Sequence, residues 1–317
     1  MKLPRLKIGK YEPRYPIIQG GMAIRVSTGK LAGAVAACGG IGLIAASGMS
    51  ETELGNEIEI ARKIAGSDGI IGINIMVAAS EFEKITEAAM KFGIDIVVAG
   101  AGFTRVLFTL GKKYNIPVVP IVSGLKAAKM SEKLGAAAII VEGFEAGGHL
   151  GTTESTLDIL KEIVGNLNIP VIGAGGVGDQ EDFIKILKTG VDGVQVATIF
   201  SLTEESNAHI NWKNYVISCD EKDMVLIKSP VGLPGRALKN KFLEKLENTP
   251  EELKPKVCIK CLKYCSQKFC IIKALENARK GDIDNGLVFA GKYFYKIKRL
   301  LSVQEVFDIL LKDIENI

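Results

Sequence analysis

The chain has 317 residues, of which 47% are hydrophobic and 24% are charged, and its formal net charge is +4. Of its 35 glycines, 30 lie in residues 1–200 and 5 in residues 201–317. This composition excludes a collagen-like fibre and a disordered low-complexity chain, and so small a positive excess argues against a nucleic-acid partner. A chain of this length can bury one large core together with a smaller one.

The first residues predict neither export nor membrane insertion. Residues 1–16 carry charge without an apolar stretch, and no run of 18 apolar residues occurs anywhere in the sequence. A signal peptide or a membrane-spanning helix needs such a stretch. We therefore expect a cytoplasmic protein without a membrane partner.

Residues 16–200 repeat one pattern, in which short apolar, β-branched runs alternate with amphipathic stretches of helical length. Strands are predicted at 16–22, 42–47, 71–77, 94–100, 117–123, 137–142, 170–174 and 193–200, and helices at 81–92, 125–134, 156–164 and 180–188, among others. Strands that are apolar throughout are typical of a parallel sheet covered on both faces. Eight βα units favour an α/β fold, a closed (β/α)8 TIM barrel whose mouth lies at the carboxyl ends of the strands.

The pattern changes after residue 200, where Trp212, His209, Pro230 and Pro234 stand among charged helical stretches. We expect residues 201–300 to form a smaller domain, inserted after strand eight near the barrel mouth. An amphipathic pattern at 303–317 predicts a helix that returns to the barrel. The barrel domain would then comprise residues 1–200 together with 301–317.

Glycines cluster at the predicted strand ends, and one such cluster surrounds a histidine. Tight turns account for about half of these glycines, and the others are expected to let the backbone approach a ligand. His149 is the only histidine in residues 1–200 and is flanked by Gly147, Gly148 and Gly151. We predict that it lies on a mobile glycine loop with few packing neighbours. With an ordinary pKa of about 6.5 it would serve as an active-site base; an incidental surface histidine is the alternative.

The ends of strands seven and eight predict an anion site. Small residues follow both strands, at 173–178 and 195–198, and can direct backbone N–H groups at a phosphate, which this barrel usually binds here. Gly173, Gly175 and Gly178 also match the dinucleotide pattern G-x-G-x-x-G. The next strand ends without an acidic residue for a ribose, so a Rossmann interpretation is disfavoured. Asn74 in strand three is either a buried structural amide or a contact to a polar cofactor.

Four of the six cysteines stand close together near the C-terminus. Cys38 and Cys219 are interpreted as packing residues, whereas the other four fall within thirteen positions: Cys258, Cys261, Cys265 and Cys270. Residues 254–273 include six lysines and no acidic residue, which favours thiolates. In a cytoplasmic chain this pattern indicates a zinc or iron–sulfur site more than disulfides, with four free thiols as the alternative.

Several of these stretches together resemble a known family. The matching segments are 16–22, 72–75, 142–149, 173–177 and 193–198, and residues 286–291 resemble the C-terminal region of the same family. The sequence resembles the FMN-dependent nitronate monooxygenases, once called 2-nitropropane dioxygenases. That family includes the flavin-containing type II enoyl-ACP reductases.

The resemblance implies a TIM barrel that holds FMN at its mouth. The residues that match cofactor contacts are Gly20, Gly21, Met22, Asn74, Glu142, Gly147, Gly148, Gly151, Gly175, Gly176, Gln195, Val196, Ala197 and Thr198. The family usually has glycine where Ala197 stands. His149 would be the catalytic base in the monooxygenases and a substrate-facing group in the reductases.

Three functions stay open at this point. The resemblance predicts oxidation of alkyl nitronates with O2 to a carbonyl compound and nitrite. An NAD(P)H-dependent enoyl-ACP reductase is the alternative, and a non-redox barrel that binds a phosphate ligand is a third. The basic residues Arg236, Lys239, Lys241 and Lys245 form either a docking patch for an acidic acyl carrier or a solvated helix face. A homodimer through the region after the barrel is also expected.

Overall fold

We describe residues 2–314 from a computed structural model of the chain. The last residues of the helix predicted at 303–317 lie outside the described residues. Among residues 2–314, the helices are too short or too polar for any of them to cross a lipid bilayer.

Eight parallel strands close into a barrel, which confirms the predicted TIM fold. The short strand β7 (Gly148–His149), between β6 and β8 in the chain, lies outside the barrel. The barrel strands are β1 (Ile17–Gln19), β2 (Ile41–Ala45), β3 (Ile70–Met76), β4 (Ile96–Gly100), β5 (Val118–Val122), β6 (Ile139–Glu142), β8 (Val171–Ala174) and β9 (Gly193–Val196). Pairing of β1 with β9, in which Ile18 lies opposite Gln195, closes the ring.

Most helices follow a barrel strand and cover the outside of the barrel, whereas those between β9 and the C-terminal helix belong to the inserted segment. In chain order the helices are α1 (Gly29–Ala37), α2 (Glu51–Ala65), α3 (Phe82–Lys91), α4 (Val106–Tyr114), α5 (Leu125–Lys133), α6 (Thr156–Ile163), α7 (Gln180–Leu187), α8 (Thr198–Ser201), α9 (Ile210–Ser218), α10 (Lys241–Asn248), α11 (Ile271–Arg279) and α12 (Val303–Leu311). Short 3-10 turns cover Glu221–Asp223, Pro250–Leu253, Ile283–Asn285 and Phe294–Lys296. Ser155 and Asp179 cap α6 and α7, since each side chain accepts a hydrogen bond from the third residue beyond it.

Two barrel strands are shorter than the sequence predicts. The strand predicted at 16–22 ends at Gln19, where two glycines follow. The strand predicted at 193–200 ends at Val196, because Ala197 leaves the β region at φ −122° and ψ −66° and the chain enters α8. The residues that follow both strand ends, Gly20 and Ala197 among them, line the cavity at the mouth of the barrel.

Apolar side chains fill the barrel and the layer around it. One buried cluster takes Ile18, Leu43, Val98, Ile140 and Ile172 from five different strands and occupies the barrel interior. A larger cluster lies between the strands and the helices. This division explains the continuous apolar runs, because each strand contributes side chains to both layers.

The C-terminal helix α12 packs against the barrel. It contacts α1 and α7 and so lies between the first and the last helices of the ring. The buried ring of Phe307 lies 5.9 Å from that of Tyr15 and 6.0 Å from that of Phe200. The helix therefore fills the position that follows β9 in the barrel.

Residues 201–300 divide between two cores. Helix α9 contributes Trp212 and Val216 to the large cluster around the barrel. A hairpin of β10 (Met224–Lys228) and β11 (Pro234–Leu238) joins β7 in a three-stranded antiparallel sheet. Helices α10 and α11 pack around a separate small cluster that includes Phe242 and Phe269. The inserted segment thus extends the barrel on one side and covers its mouth on the other.

Candidate functional site

A cavity of about 940 Å³ opens at the carboxyl ends of the barrel strands. Its volume lies at the upper end of the range for sites that hold an organic cofactor together with a substrate. Strand ends and the glycine loops form its floor, whereas α11 and the cysteine segment form part of its wall. It is a deep site with two differently built sides.

Nearly all the predicted cofactor residues line this cavity. They are Gly20, Gly21, Met22, Asn74, Glu142, Gly147, Gly148, Gly175, Gly176, Gln195, Val196, Ala197 and Thr198. Gly151 is different, since it is exposed beyond β7, where an added Cβ would lie 2.7 Å from Ser123 Oγ. It does not line the cavity, so its place among the cofactor contacts is a correction to the sequence analysis.

The ends of β8 and β9 form a cradle of backbone N–H groups. Gly175 and Gly176 adopt positive φ values of 91° and 80°, which turn successive peptide groups toward the cavity. Within residues 2–314, the N–H groups of Gly176, Val177 and Ala197 have no hydrogen-bond acceptor. Unpartnered N–H groups in such a turn are suited to bind an anion.

A C-terminal segment completes this side of the cavity. The N–H of Gly291 donates to Thr198 Oγ1 at 2.9 Å. Phe289 and Ala290 also line the cavity. Residues 286–291, which resemble the family's C-terminal region, therefore reach the mouth.

Two amides lie at the floor of the cavity. The Oε1 atom of Gln195 is buried and has no hydrogen-bond partner within residues 2–314. A buried acceptor without a donor is unfavourable, and a ligand with an N–H group would satisfy it. Asn74 also lines the cavity. An unpaired acceptor beside an anion cradle fits a heterocyclic cofactor that carries a phosphate.

Some glycines at the mouth are required by the protein's own chain. An added Cβ at Gly21 would lie 2.2 Å from Asn74 Cβ, and one at Gly147 would lie 2.7 Å from the Ala290 carbonyl carbon. At Gly175 the neighbour is the Ala146 backbone nitrogen, at 2.9 Å. Close chain crossings therefore require these glycines independently of any ligand, and their predicted contact with a cofactor stays a prediction.

His149 is held in a sheet and not on a mobile loop. In β7 it pairs with Gly235 of β11, and its Nε2 lies 2.7 Å from Ser229 Oγ. The ring of Phe289 stands edge-on to the imidazole, with centroids 5.3 Å apart and planes at 75°. The predicted lack of packing neighbours is wrong, because the inserted segment supplies them.

Burial changes the acidity of two groups that line the cavity. It lowers the pKa of His149 to about 4, so the imidazole is neutral at pH 7, and the expected ordinary pKa is corrected. It raises the pKa of Glu142 to about 7, so this carboxyl is partly protonated near neutral pH. The cavity thus offers a neutral imidazole and a proton-bearing carboxyl.

Arg236 holds the glycine loop from behind. Its Nε donates to the Ala146 carbonyl at 3.0 Å and its Nη2 to the Phe144 carbonyl at 2.5 Å, with the guanidinium 4.6 Å from the Phe144 ring centroid. Arg236 is only 5% exposed, so it does not belong to a basic surface patch with Lys239. Lys241, another member of that predicted patch, is exposed and pairs with Asp284 at 2.6 Å. Sequence analysis missed the role of Arg236 in holding this loop, because the residues that it contacts lie about 90 positions away in the chain.

The four clustered cysteines are free thiols in this arrangement. Within residues 2–314, the Cys, His, Asp and Glu side chains do not form a ready metal site of three or more ligands. Cys261 lines the cavity. The segment therefore contributes to the wall of the site, and the structure does not preform the predicted metal centre.

A family model described as nitronate monooxygenase matches residues 5–313. The chain belongs to the nitronate monooxygenase family. The resemblance inferred from the sequence is thereby confirmed, and the protein is a flavin-dependent oxidoreductase.

Relatives of this nitronate monooxygenase family member align with most of its chain. A probable nitronate monooxygenase of Staphylococcus saprophyticus is 27% identical over 300 residues, covering 80% of this chain and 83% of that protein. One of Staphylococcus aureus strain Newman is 30% identical, covering 73% and 77%. The structure of FabK from Thermotoga maritima is 28% identical, with a TM-score of 0.82 over 95% of this chain and 92% of that one. A nitroalkane oxidase of Streptomyces ansochromogenes, at 22% identity, covers 93% and 94% with a TM-score of 0.76 and shares the fold.

Proposed function

We propose that the protein is an FMN-dependent nitronate monooxygenase that converts alkyl nitronates, with O2, to a carbonyl compound and nitrite. The observation that carries this proposal is the position of His149, whose imidazole lines the cavity and is held by Ser229 Oγ at 2.7 Å. A flavin bound in this cavity supplies the electron acceptance and the reaction with oxygen. The small-molecule substrate would share the cavity with it.

The residues at the mouth fit FMN in particular. The N–H groups of Gly176, Val177 and Ala197 lack acceptors and would bind a single terminal phosphate. Gln195 Oε1 lacks a donor and would accept a hydrogen bond from an N–H of the isoalloxazine ring. One phosphorylated heterocycle would supply both the acceptor for these N–H groups and the donor for Gln195 Oε1.

His149 is placed to accept a proton. When the Nε2 proton is donated to Ser229 Oγ, 2.7 Å away, Nδ1 keeps its lone pair. Because burial lowers the pKa of His149 to about 4, this lone pair is unprotonated in the neutral range, and the same shift makes the imidazole a weaker base than an ordinary histidine. The imidazole would take the α-proton of a neutral nitroalkane or orient a nitronate that is already ionised.

The second candidate is reduction of an enoyl thioester with NAD(P)H. The similarity to Thermotoga maritima FabK over 95% of the chain favours it. That reaction needs a proton donor, and a neutral His149 is a poor one. Glu142, whose pKa is raised to about 7, would have to give the proton instead. The relatives described as probable nitronate monooxygenases favour the monooxygenase reaction as the first candidate.

A turnover panel on FMN-loaded protein separates the candidates. One arm supplies ethyl nitronate with O2 and measures nitrite, and the other supplies NAD(P)H with a crotonyl thioester and measures NAD(P)H consumption. Nitrite formation without NAD(P)H is expected. Reduction of the thioester without nitrite formation would replace the proposal by the second candidate. A colourless protein that gains no flavin absorbance on addition of FMN would reject both and leave the phosphate-binding barrel.

A further inference from the structure

The cysteine segment, residues 258–270, is attached to the rim of the barrel. The Ser80 N–H donates to the Cys261 carbonyl at 3.0 Å, and the Lys263 N–H donates to the Ala78 carbonyl at 3.0 Å. These contacts fix the first half of the segment to the loop between β3 and α3. Residues 259–262 line the cavity, so the segment forms part of the roof of the active site.

Two turns in this segment have the same unusual geometry. The Lys260 N–H donates to Cys258 Sγ, and the Gln267 N–H donates to Cys265 Sγ, both at 3.4 Å. Lys260 and Gln267 each adopt a positive φ, 51° and 55°, which non-glycine residues rarely do. Backbone N–H groups directed at a cysteine sulfur stabilise a thiolate and orient it toward a metal. Each turn is thus shaped to present a thiolate.

The other two cysteines lie next to these turns. Cys261 and Cys265 are half-buried and pack against the same small apolar cluster, which contains Phe269. Cys270 follows directly and is the N-terminal capping residue of α11, where free helix N–H groups favour a thiolate. Two of the four cysteines therefore share one small core, and Cys270 directly follows Phe269, a member of that core.

The charge of the segment is also that of a thiolate site. Residues 254–273 contain six lysines and no acidic residue. Four thiolates bound to a divalent cation carry a net negative charge, which this excess of positive charge offsets. A purely packing role for these cysteines explains neither the lysines nor the two sulfur-directed turns.

We infer that this segment binds one thiophilic metal centre through four thiolates, those of Cys258, Cys261, Cys265 and Cys270. Tetrahedral coordination by four thiolates suits zinc, and the same donors suit iron. In the structure the sulfurs do not stand at ligand positions, so metal binding would require the exposed Cys258 and its three half-buried partners to move from the positions described. The centre would tie the roof of the cavity to the start of α11, whose Ile271 and Leu275 line the cavity.

Elemental analysis of the full-length protein, purified without chelator and without oxygen, tests this inference. We expect about one zinc per chain, or iron instead of zinc; the metal found distinguishes the two. After the metal is removed, titration with Co2+ should produce the absorbance of thiolate–cobalt bonds. Protein that contains neither zinc nor iron, and that gives no such absorbance with Co2+, would overturn the inference.

Variants separate these four cysteines from the other two. Cys258→Ser and Cys265→Ser are expected to lose at least about tenfold in metal affinity, whereas Cys38→Ser and Cys219→Ser should retain the full metal content. Flavin content measured on the same samples shows whether each variant is folded. Full metal retention in the Cys258→Ser/Cys265→Ser double variant would also overturn the inference. If the double variant does not fold, the Co2+ titration of the unchanged protein decides.

Discussion

The two sides of the cavity are built in different ways. Beside β8 and β9, the donors that face the cavity belong to residues that directly follow a barrel strand, such as Gly176 and Ala197. Beside β6, His149 depends on Ser229, 80 positions away, and its loop depends on Arg236. The barrel thus provides the N–H groups of the anion cradle, beside which Gly291 packs, whereas the inserted segment holds the group assigned to proton transfer. Cofactor binding and turnover are therefore expected to respond to different substitutions.

The largest expected effect is that of His149→Ala on turnover. Without the imidazole, turnover of a neutral nitroalkane should fall about 10²–10⁴-fold, because no base takes the α-proton. Flavin content should be unchanged, since the cradle lies on the other side of the cavity. Oxygen uptake and flavin absorbance measure the two quantities separately.

Two controls accompany this variant. Ser229→Ala keeps the imidazole and removes its partner at 2.7 Å, so it should cost less turnover. A nitronate ionised before mixing should be affected less than the neutral nitroalkane. Unchanged turnover of the neutral nitroalkane in His149→Ala would remove His149 from the mechanism and with it the proposed contrast between the two sides.

A smaller effect is expected on the cradle side, from Gly176→Ala. The residue has φ 80°, and an added Cβ would lie 3.1 Å from Glu145 Cβ. Relief of this strain, of about 1–2 kcal/mol, would turn the N–H groups of residues 176 and 177 away from the cavity. The dissociation constant for FMN, measured by fluorescence titration, should rise about tenfold.

Gly165→Ala is the matched control for this substitution. Gly165 has φ 81°, and an added Cβ there has no neighbour within 4 Å. Its backbone strain is therefore similar, but it follows α6 away from the mouth. An equal loss of FMN affinity in both variants would show that general destabilisation, and not the cradle, is responsible.

The smallest effect concerns the pH dependence of stability through Glu142. Because its pKa rises from the ordinary 4.5 to about 7 on folding, the native state binds this proton more tightly than the unfolded state. Raising the pH from 4.5 to 7 therefore removes stability. Glu142→Gln lacks the titration, so its Tm should exceed that of the unchanged protein by about 3 °C above pH 7. Below pH 4.5 the two Tm values should coincide; a constant difference across the pH range would contradict the assignment.

The barrel could be predicted from sequence because its signals are local. Runs such as Ile70–Met76 are apolar at nearly every position, and such runs separated by amphipathic stretches indicate a parallel sheet. The cradle was equally accessible, since small residues directly follow β8 and β9. In both cases the residues that determine the structure are neighbours in the chain.

The rest of the site depends on contacts between distant residues. Strand β7 has two residues and forms only because β11 pairs with it. The same pairing buries His149 and lowers its pKa, so an ordinary pKa was the natural expectation from sequence. Gly147 is required by Ala290, more than 140 positions later. A local sequence pattern does not predict such a close approach between distant parts of the chain.

The position of α12 has a consequence for biosynthesis. The ring of Phe307 packs against Tyr15 and Phe200. This contact joins the first and last parts of the barrel and can form only after residue 307 has been synthesised. A ribosome releases the N-terminal residues long before Phe307 is made. The face around Tyr15 therefore stays without this partner in the nascent chain until α12 has been synthesised, and the ring of helices closes only then.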